Sequence, residues 1–156
     1  MFWDKVARVY NLFENIYNGK VNRQLVTEVS RMIEADDKVL ECACGTGMIS
    51  EGIARKCKEL VATDFSQGML VQAKKRLYRY RNVRLEKADI MALEMSQDNF
   101  DKVVAGNVIH LLDQPDRAIK ELLRVCKKGG KVIIPTYVNK ENVGDSSAFI
   151  KLIGKL

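Results

Sequence analysis

Val39-Leu40-Glu41-Cys42-Ala43-Cys44-Gly45-Thr46-Gly47 joins a short apolar run to a glycine turn, and a helical pattern over Gly47–Cys57 follows directly. A strand that ends in small residues and passes straight into a helix lets the backbone turn sharply and approach a ligand closely. The helix start adds free N–H groups and the positive end of a dipole. Several nucleotide-binding folds share such a loop, so the loop alone leaves the ligand open. Glu41 narrows the choice. A dinucleotide loop must hold a pyrophosphate, which a carboxylate at the strand end repels. That loop also prefers G-x-G-x-x-G, where this one reads Gly45-x-Gly47-x-x-Ser50. A P-loop needs Gly-Lys-Ser/Thr, which is absent. The carboxylate suits a ligand with positive charge and no phosphate; a turn cap or a lysine partner is the competing reading of Glu41.

Working outward, five short runs rich in Val, Ile or Leu read as strands: Lys38–Ala43, Glu59–Thr63, Val83–Ala88, Asp101–Gly106 and Lys131–Thr136. Helical periodicity separates them. Ser66–Tyr80 repeats apolar Met69, Leu70, Ala73, Leu77 and Tyr80 at three- and four-residue steps, with its cations mainly opposite. Asp113–Lys128 has Pro115 in its first turn, Lys127 and Lys128 in its last, and Gly129 just beyond. Two more patterns, Trp3–Tyr17 and Val21–Ala35, precede the first strand. Strands alternating with helices predict an α/β fold, a doubly wound parallel sheet covered on both faces. Ligands bind such sheets beyond the carboxyl ends of the strands, where the strand order reverses.

The chain has 156 residues, the length of one domain, with 47% hydrophobic and 29% charged residues. That balance excludes a disordered chain, and no apolar run approaches the ~20 residues of a membrane span. The opening Met1-Phe2-Trp3-Asp4-Lys5 lacks the pattern of a signal peptide, so a cytoplasmic location is expected. The net charge is +6, and the segment from Lys74 to Lys87, with seven cations and one anion, carries an equal excess. Cations on one helix and the following strand read as a solvated face, so nucleic acid is not the expected partner. Cys42, Cys44, Cys57 and Cys126 lack zinc-site spacing and stand with a single histidine. They read as buried thiols, and no metal is expected.

Further carboxylates follow the second and third strands. Asp64 closes Val61-Ala62-Thr63-Asp64-Phe65-Ser66, where a carboxylate can accept both hydroxyls of a ribose; Ser66 is the better-placed helix cap. Asp89 follows Ala88, with Ile90 next, and could receive an adenine amino group against Ile90 and Met69. Asp101 opens the fourth strand, away from its carboxyl end, and reads as a turn residue. Gly106-Asn107-Val108-Ile109-His110 leaves that strand near the switch point.

Together these segments resemble the class I S-adenosylmethionine-dependent methyltransferases, in the small-molecule branch that includes quinone C-methyltransferases. The resemblance covers Val39 to Tyr137. It rests on the glycine loop, on Thr63-Asp64-Phe65-Ser66-x-x-Met69-Leu70, and on Ala88-Asp89. Phe100-Asp101-x-Val103-Val104 and Leu122-x-Arg124-Val125-x-Lys127-x-Gly129-Gly130 complete it. Ala43 stands where many members have Gly. The resemblance implies a Rossmann-like sheet of order 3-2-1-4-5 and S-adenosylmethionine as cofactor, leaving S-adenosylhomocysteine as product. By it, Glu41, Cys44, Gly45 and Gly47 line the methionine part, Asp64 holds the ribose, and Phe65, Met69, Ala88, Asp89 and Ile90 surround adenine. Ala43, Thr46 and Ser66 are implied as further cofactor-binding residues. Asn107 and Val108 back the sulfonium side.

The implied reaction is methyl transfer by in-line displacement to a small-molecule acceptor, with the nucleophile held about 3–3.5 Å from the methyl. His110, the single histidine, is the candidate base and reads equally as a helix-start or packing residue. Trp3, Tyr10, Phe13 and Tyr17 could cover an apolar or aromatic acceptor, or simply dock the first helix. An RNA or protein methyltransferase using the 74–87 cations and a non-catalytic cofactor-binding scaffold are the competing functions. The single domain divides into a helical cap (1–36), a cofactor-binding core (37–137) and the start of a C-terminal region (138–156). The family's sheet ends in an antiparallel hairpin that the sequence does not display. A helical stretch near Ser146–Leu156, a fifth strand left as an exposed edge, and self-association through that edge or a truncated chain are therefore expected.

Overall fold

The computed structural model describes residues 2–5, 7 and 19–136, and the backbone of 137–138 and 147–154. In chain order the elements are α1 (Gly19–Arg31), β1 (Lys38–Cys42), α2 (Met48–Ala54), β2 (Glu59–Asp64), α3 (Gln67–Leu77) and β3 (Val83–Lys87). Then come β4 (Phe100–Ala105), α4 (Pro115–Val125), β5 (Cys126–Val138) and β6 (Ser147–Gly154). The sheet order is β3-β2-β1-β4-β5-β6. The first five strands pair in parallel in the predicted 3-2-1-4-5 order, so the order reverses between β1 and β4.

Alternation along the strands explains the two cores. Val39, Val104 and Ile133 face one side, with Leu25, Val29, Ile53, Leu70 and Leu77 of α1, α2 and α3. Leu40, Cys42, Val103, Ala105 and Val132 face the other, with Ala118, Leu122 and Val125 of α4. Adjacent residues of one strand enter opposite cores because the side-chain period of a strand is two. Residues 2–5 and 7 are helical, as the Trp3–Tyr17 pattern predicts at its start; Tyr10, Phe13 and Tyr17 lie outside the described residues.

Two expectations are corrected. The helix ending at Val125 does not reach Lys127 and Lys128. Cys126 already pairs with Phe100, whereas Lys131 pairs with Lys102, so the residues between form a wide bulge in β5. Gly129 turns there at φ 77°. Lys127 Nζ reaches Asp101 Oδ1 at 3.2 Å, while Asp101 Oδ2 accepts the Lys38 amide at 2.8 Å. Asp101 thus ties strand starts together.

The second correction concerns the sheet edge. Residues 147–154 are not helical but form β6, antiparallel to β5 from Lys131↔Gly154 to Val138↔Ser147. The outer side of β5 is therefore paired, and the expected self-association through it loses its basis. A short apolar run does not distinguish helix from strand by periodicity. Here the unpaired backbone of a 13-residue neighbour decides it.

All four cysteines are buried. Burial pushes the thiols up, to about 12 at Cys42 and about 11 at Cys57, which keeps them protonated. Among the described residues no helix is long and apolar enough to cross a membrane, and no cluster of side chains could hold a metal ion.

Candidate functional site

The cavity of about 350 Å³ at the carboxyl ends of β1, β2 and β4 falls at the switch point. Its floor is the glycine loop. Ala43, Gly45 and Gly47 adopt φ values of 54°, 56° and 86°, so the chain coils tightly between β1 and α2. The Cys44 amide donates to Thr63 O at 2.9 Å, which fastens the loop to β2. A Cβ at Gly45 would meet no protein atom within 4 Å. Gly45 lines the cavity, so that side chain would stand in the space a ligand needs.

Two carboxyls face this floor. Asp64 Oδ2 accepts the Gly45 amide and Asp64 Oδ1 the Ser66 amide, each at 2.8 Å. The carboxyl is thereby held between the glycine loop and the start of α3. Burial raises its pKa above the ordinary value, against the lowering effect of these backbone donors. Glu41 is 1% exposed and shares a hydrogen bond with Ser50 Oγ, from the first turn of α2. Burial pushes its carboxyl up to about 8; the Ser50 bond opposes this and the nearby Asp64 charge adds to it. A buried acidic group without a cation beside it holds its proton at neutral pH. A ligand ammonium would reverse that balance.

Asp89 Oδ1 accepts the Met91 amide at 2.9 Å, fixing the turn after β3. Ala88, Asp89 and Ile90 line the cavity with Met69 of α3 and with Phe65. Phe65 is 54% exposed, and Lys87 Nζ sits 5.6 Å from its ring centroid. Asn107 takes φ 52° as the chain leaves β4, its amide donating to Pro135 O at 2.8 Å. That turn brings Asn107 and Val108 to the wall.

Of the residues singled out from sequence, Glu41, Ala43, Cys44, Gly45, Thr46, Asp64, Phe65, Met69, Ala88, Asp89, Ile90, Asn107 and Val108 line the one cavity. Gly47 does not: it packs on α3, where a Cβ would stand 3.2 Å from Leu77 Cδ1. Ser66 does not either; it caps α3, accepting the Met69 amide on Oγ at 3.1 Å. His110 is exposed on a 3-10 turn, Ile109–Leu111, and is not part of the wall, whereas Leu111 and Leu112 are. Leu25, Met48, Ile49, Met91, Gly106, Leu111 and Leu112 were missed. Most adjoin recognised residues and could have been found by adjacency. Leu25 arrives by the packing of α1 and carries no local signal.

A chemically mixed wall of this kind fits S-adenosylmethionine. Glu41 and Asp64 offer acidic groups to an ammonium and a ribose, and Met69 and Ile90 offer apolar faces to a ring. Among the described residues no lysine or arginine lines the cavity, and that lining does not call for a phosphate.

Comparison with known proteins agrees. A family model described as a methyltransferase domain matches residues 40–134. A demethylmenaquinone methyltransferase of Clavibacter sepedonicus is 32% identical over 135 residues, covering 85% of this chain and 55% of that protein. A phosphatidylethanolamine N-methyltransferase of Cereibacter sphaeroides is 29% identical over 145 residues, covering 88% of this chain and 70% of that protein. The chain spans about half the length of the curated demethylmenaquinone methyltransferases it matches. Among solved structures, the [4+2]-cyclase SpnF superposes with a TM-score of 0.78 at 23% identity, covering 90% of this chain and 59% of that one. At that identity the likeness shows the fold alone.

Proposed function

Because the chain belongs to the class I S-adenosylmethionine-dependent methyltransferases, in their quinone C-methyltransferase-like branch, we propose that it binds S-adenosylmethionine in this cavity and methylates a small apolar acceptor, a quinone-type ring. The observation that carries the reading is the Asp64 carboxyl, bridged to the glycine loop and to α3 at the same cavity that Glu41 lines. Asp64 would accept the ribose hydroxyls, and Glu41 the ammonium. Asp89 would take the adenine amino group, with the ring between Met69 and Ile90. Asn107 and Val108 would stand behind the sulfur.

The bound cofactor supplies a methyl carbon activated by a positively charged sulfur. What the chain must add is alignment of the nucleophile and exclusion of water. Met91, Val108, Leu111 and Leu112 give the cavity an apolar wall suited to both tasks. The names of the demethylmenaquinone methyltransferase relatives support a quinone-type acceptor. That of the phosphatidylethanolamine N-methyltransferase supports a lipid acceptor more broadly.

Calorimetric titration with S-adenosylhomocysteine tests the reading. Wild-type protein should bind. Asp64→Ala should bind about 10- to 100-fold more weakly, the worth of hydrogen bonds to a charged group. Transfer of labelled methyl to a reduced demethylated naphthoquinone should follow. No heat at millimolar S-adenosylhomocysteine overturns the site. Binding without transfer to quinone or phospholipid acceptors overturns the acceptor class.

A further inference from the structure

The described residues at the start of the chain are held against the cavity by a specific set of contacts. Asp4 Oδ1 accepts hydrogen bonds from Ser66 Oγ at 2.6 Å and from the Gly68 amide at 2.8 Å. These are donors at the start of α3, so a residue 62 positions away in sequence shares the capping of that helix with Ser66. They hold the Asp4 carboxyl below its ordinary range, the Ser66 bond first. Gly68 leaves room for nothing larger. A Cβ there would stand 2.8 Å from both Asp4 Cα and Asp4 O. The neighbouring Trp3 lines the cavity, and Phe2 packs edge-on against its ring at 5.2 Å.

These contacts form a chain through the ribose side of the site. Asp64 takes the Gly45 and Ser66 amides, and Ser66 passes its hydroxyl to Asp4. The glycine loop, the start of α3 and residues 2–5 are thus tied at one point. We propose that Asp4 is a positioning residue for the cofactor: it clasps residues 2–5 to the start of α3, so that Trp3 forms a wall of the cavity and the ligand leaves only when the clasp opens. The proposal rests on reading this cavity as the S-adenosylmethionine site.

Trp3 is the only tryptophan of the sequence, so intrinsic emission reports on the clasp directly. The experiment follows S-adenosylhomocysteine binding by calorimetry and by stopped-flow tryptophan emission in wild type, Asp4→Ala and Gly68→Ala. Gly68→Ala keeps every hydrogen-bonding side chain, and alanine ordinarily favours a helix over glycine. Its Cβ displaces Asp4, so a purely structural role predicts a lower melting temperature, partly offset by the helical gain, with unchanged binding. The clasp predicts, in both variants, about tenfold faster ligand release, about tenfold weaker binding and a diminished emission change. In Gly68→Ala these changes should come with a smaller loss of the empty protein's melting temperature than in Asp4→Ala, because alanine's helical gain offsets part of the lost capping. Wild-type affinity, release rate and emission change in both variants overturn the clasp and leave the site reading intact. Absence of binding to wild type overturns both.

Discussion

Glu41 shows what one residue can tell and what its surroundings must add. Its place at the end of β1, without a phosphate-binding loop, is legible from the sequence. Its protonation is not, because that comes from the closure of α2 over it and the Asp64 charge beside it. A folded-state pKa near 8 stands above the unfolded value of 4.5. The empty protein therefore keeps this group's full stabilising effect below the unfolded value and loses it progressively as pH rises toward 8. Cofactor binding has the opposite sign. An ammonium needs the carboxylate, so S-adenosylhomocysteine affinity should rise from pH 6 to pH 8 and then level. In Glu41→Gln the rise should vanish, leaving affinity near the wild-type value at pH 6. Calorimetry at three pH values checks this; an equal slope in the variant would assign the titration elsewhere. Ala43 offers a second measurement at this scale. It holds φ 54°, which costs an L-residue about 1–2 kcal/mol relative to glycine. Ala43→Gly should raise stability by up to about 1 kcal/mol once the extra flexibility of the unfolded chain is counted, about 2–4 °C in a thermal melt.

The elements were legible where a local pattern and its tertiary setting agree. All five parallel strands and the helices between them follow from apolar period and capping residues, and the site follows because the fold brings their ends together. Where setting overrode pattern, the reading failed. The lysines after α4 look like a helix end, yet the neighbouring strand β4 draws them into a bulge. The residues of β6 look helical until β5 offers its edge. One contact between elements has a measurable weight. Lys102 Nζ of β4 lies 2.7 Å from Asp37 Oδ2, just before β1, and both residues are 7% exposed. The same oxygen accepts the Glu34 amide at 2.8 Å. Lys102→Met would leave a buried carboxylate without its cation and should cost about 3–5 kcal/mol by denaturant titration. The double variant Asp37→Asn with Lys102→Met should recover a large part of that loss. A single-variant cost below about 1 kcal/mol would show that the pair contributes little.

At the scale of the molecule, the sheet is as complete as its last strand makes it. β5 runs 13 residues, and its outer side pairs with β6 over the register from Lys131 to Val138. If β6 were released, a row of backbone donors and acceptors would be left open, blunted only at Pro135. Such an edge pairs with another copy. Lys151 and Leu152 stand opposite Ile134 and Ile133. With one neighbouring strand among the described residues, consecutive residues of β6 alternate between pointing their N–H at β5 and pointing it away. Proline at one of these two positions removes a ladder bond; at the other it removes none. One of Lys151→Pro and Leu152→Pro should therefore loosen β6 and drive concentration-dependent self-association in sedimentation velocity, while its neighbour stays close to wild type. Among the described residues the cavity wall draws none beyond Leu112, so S-adenosylhomocysteine affinity at low protein concentration should change less than about twofold in either variant. Equal association in both would mean that side-chain loss, not the open backbone edge, holds the molecule apart from its copies.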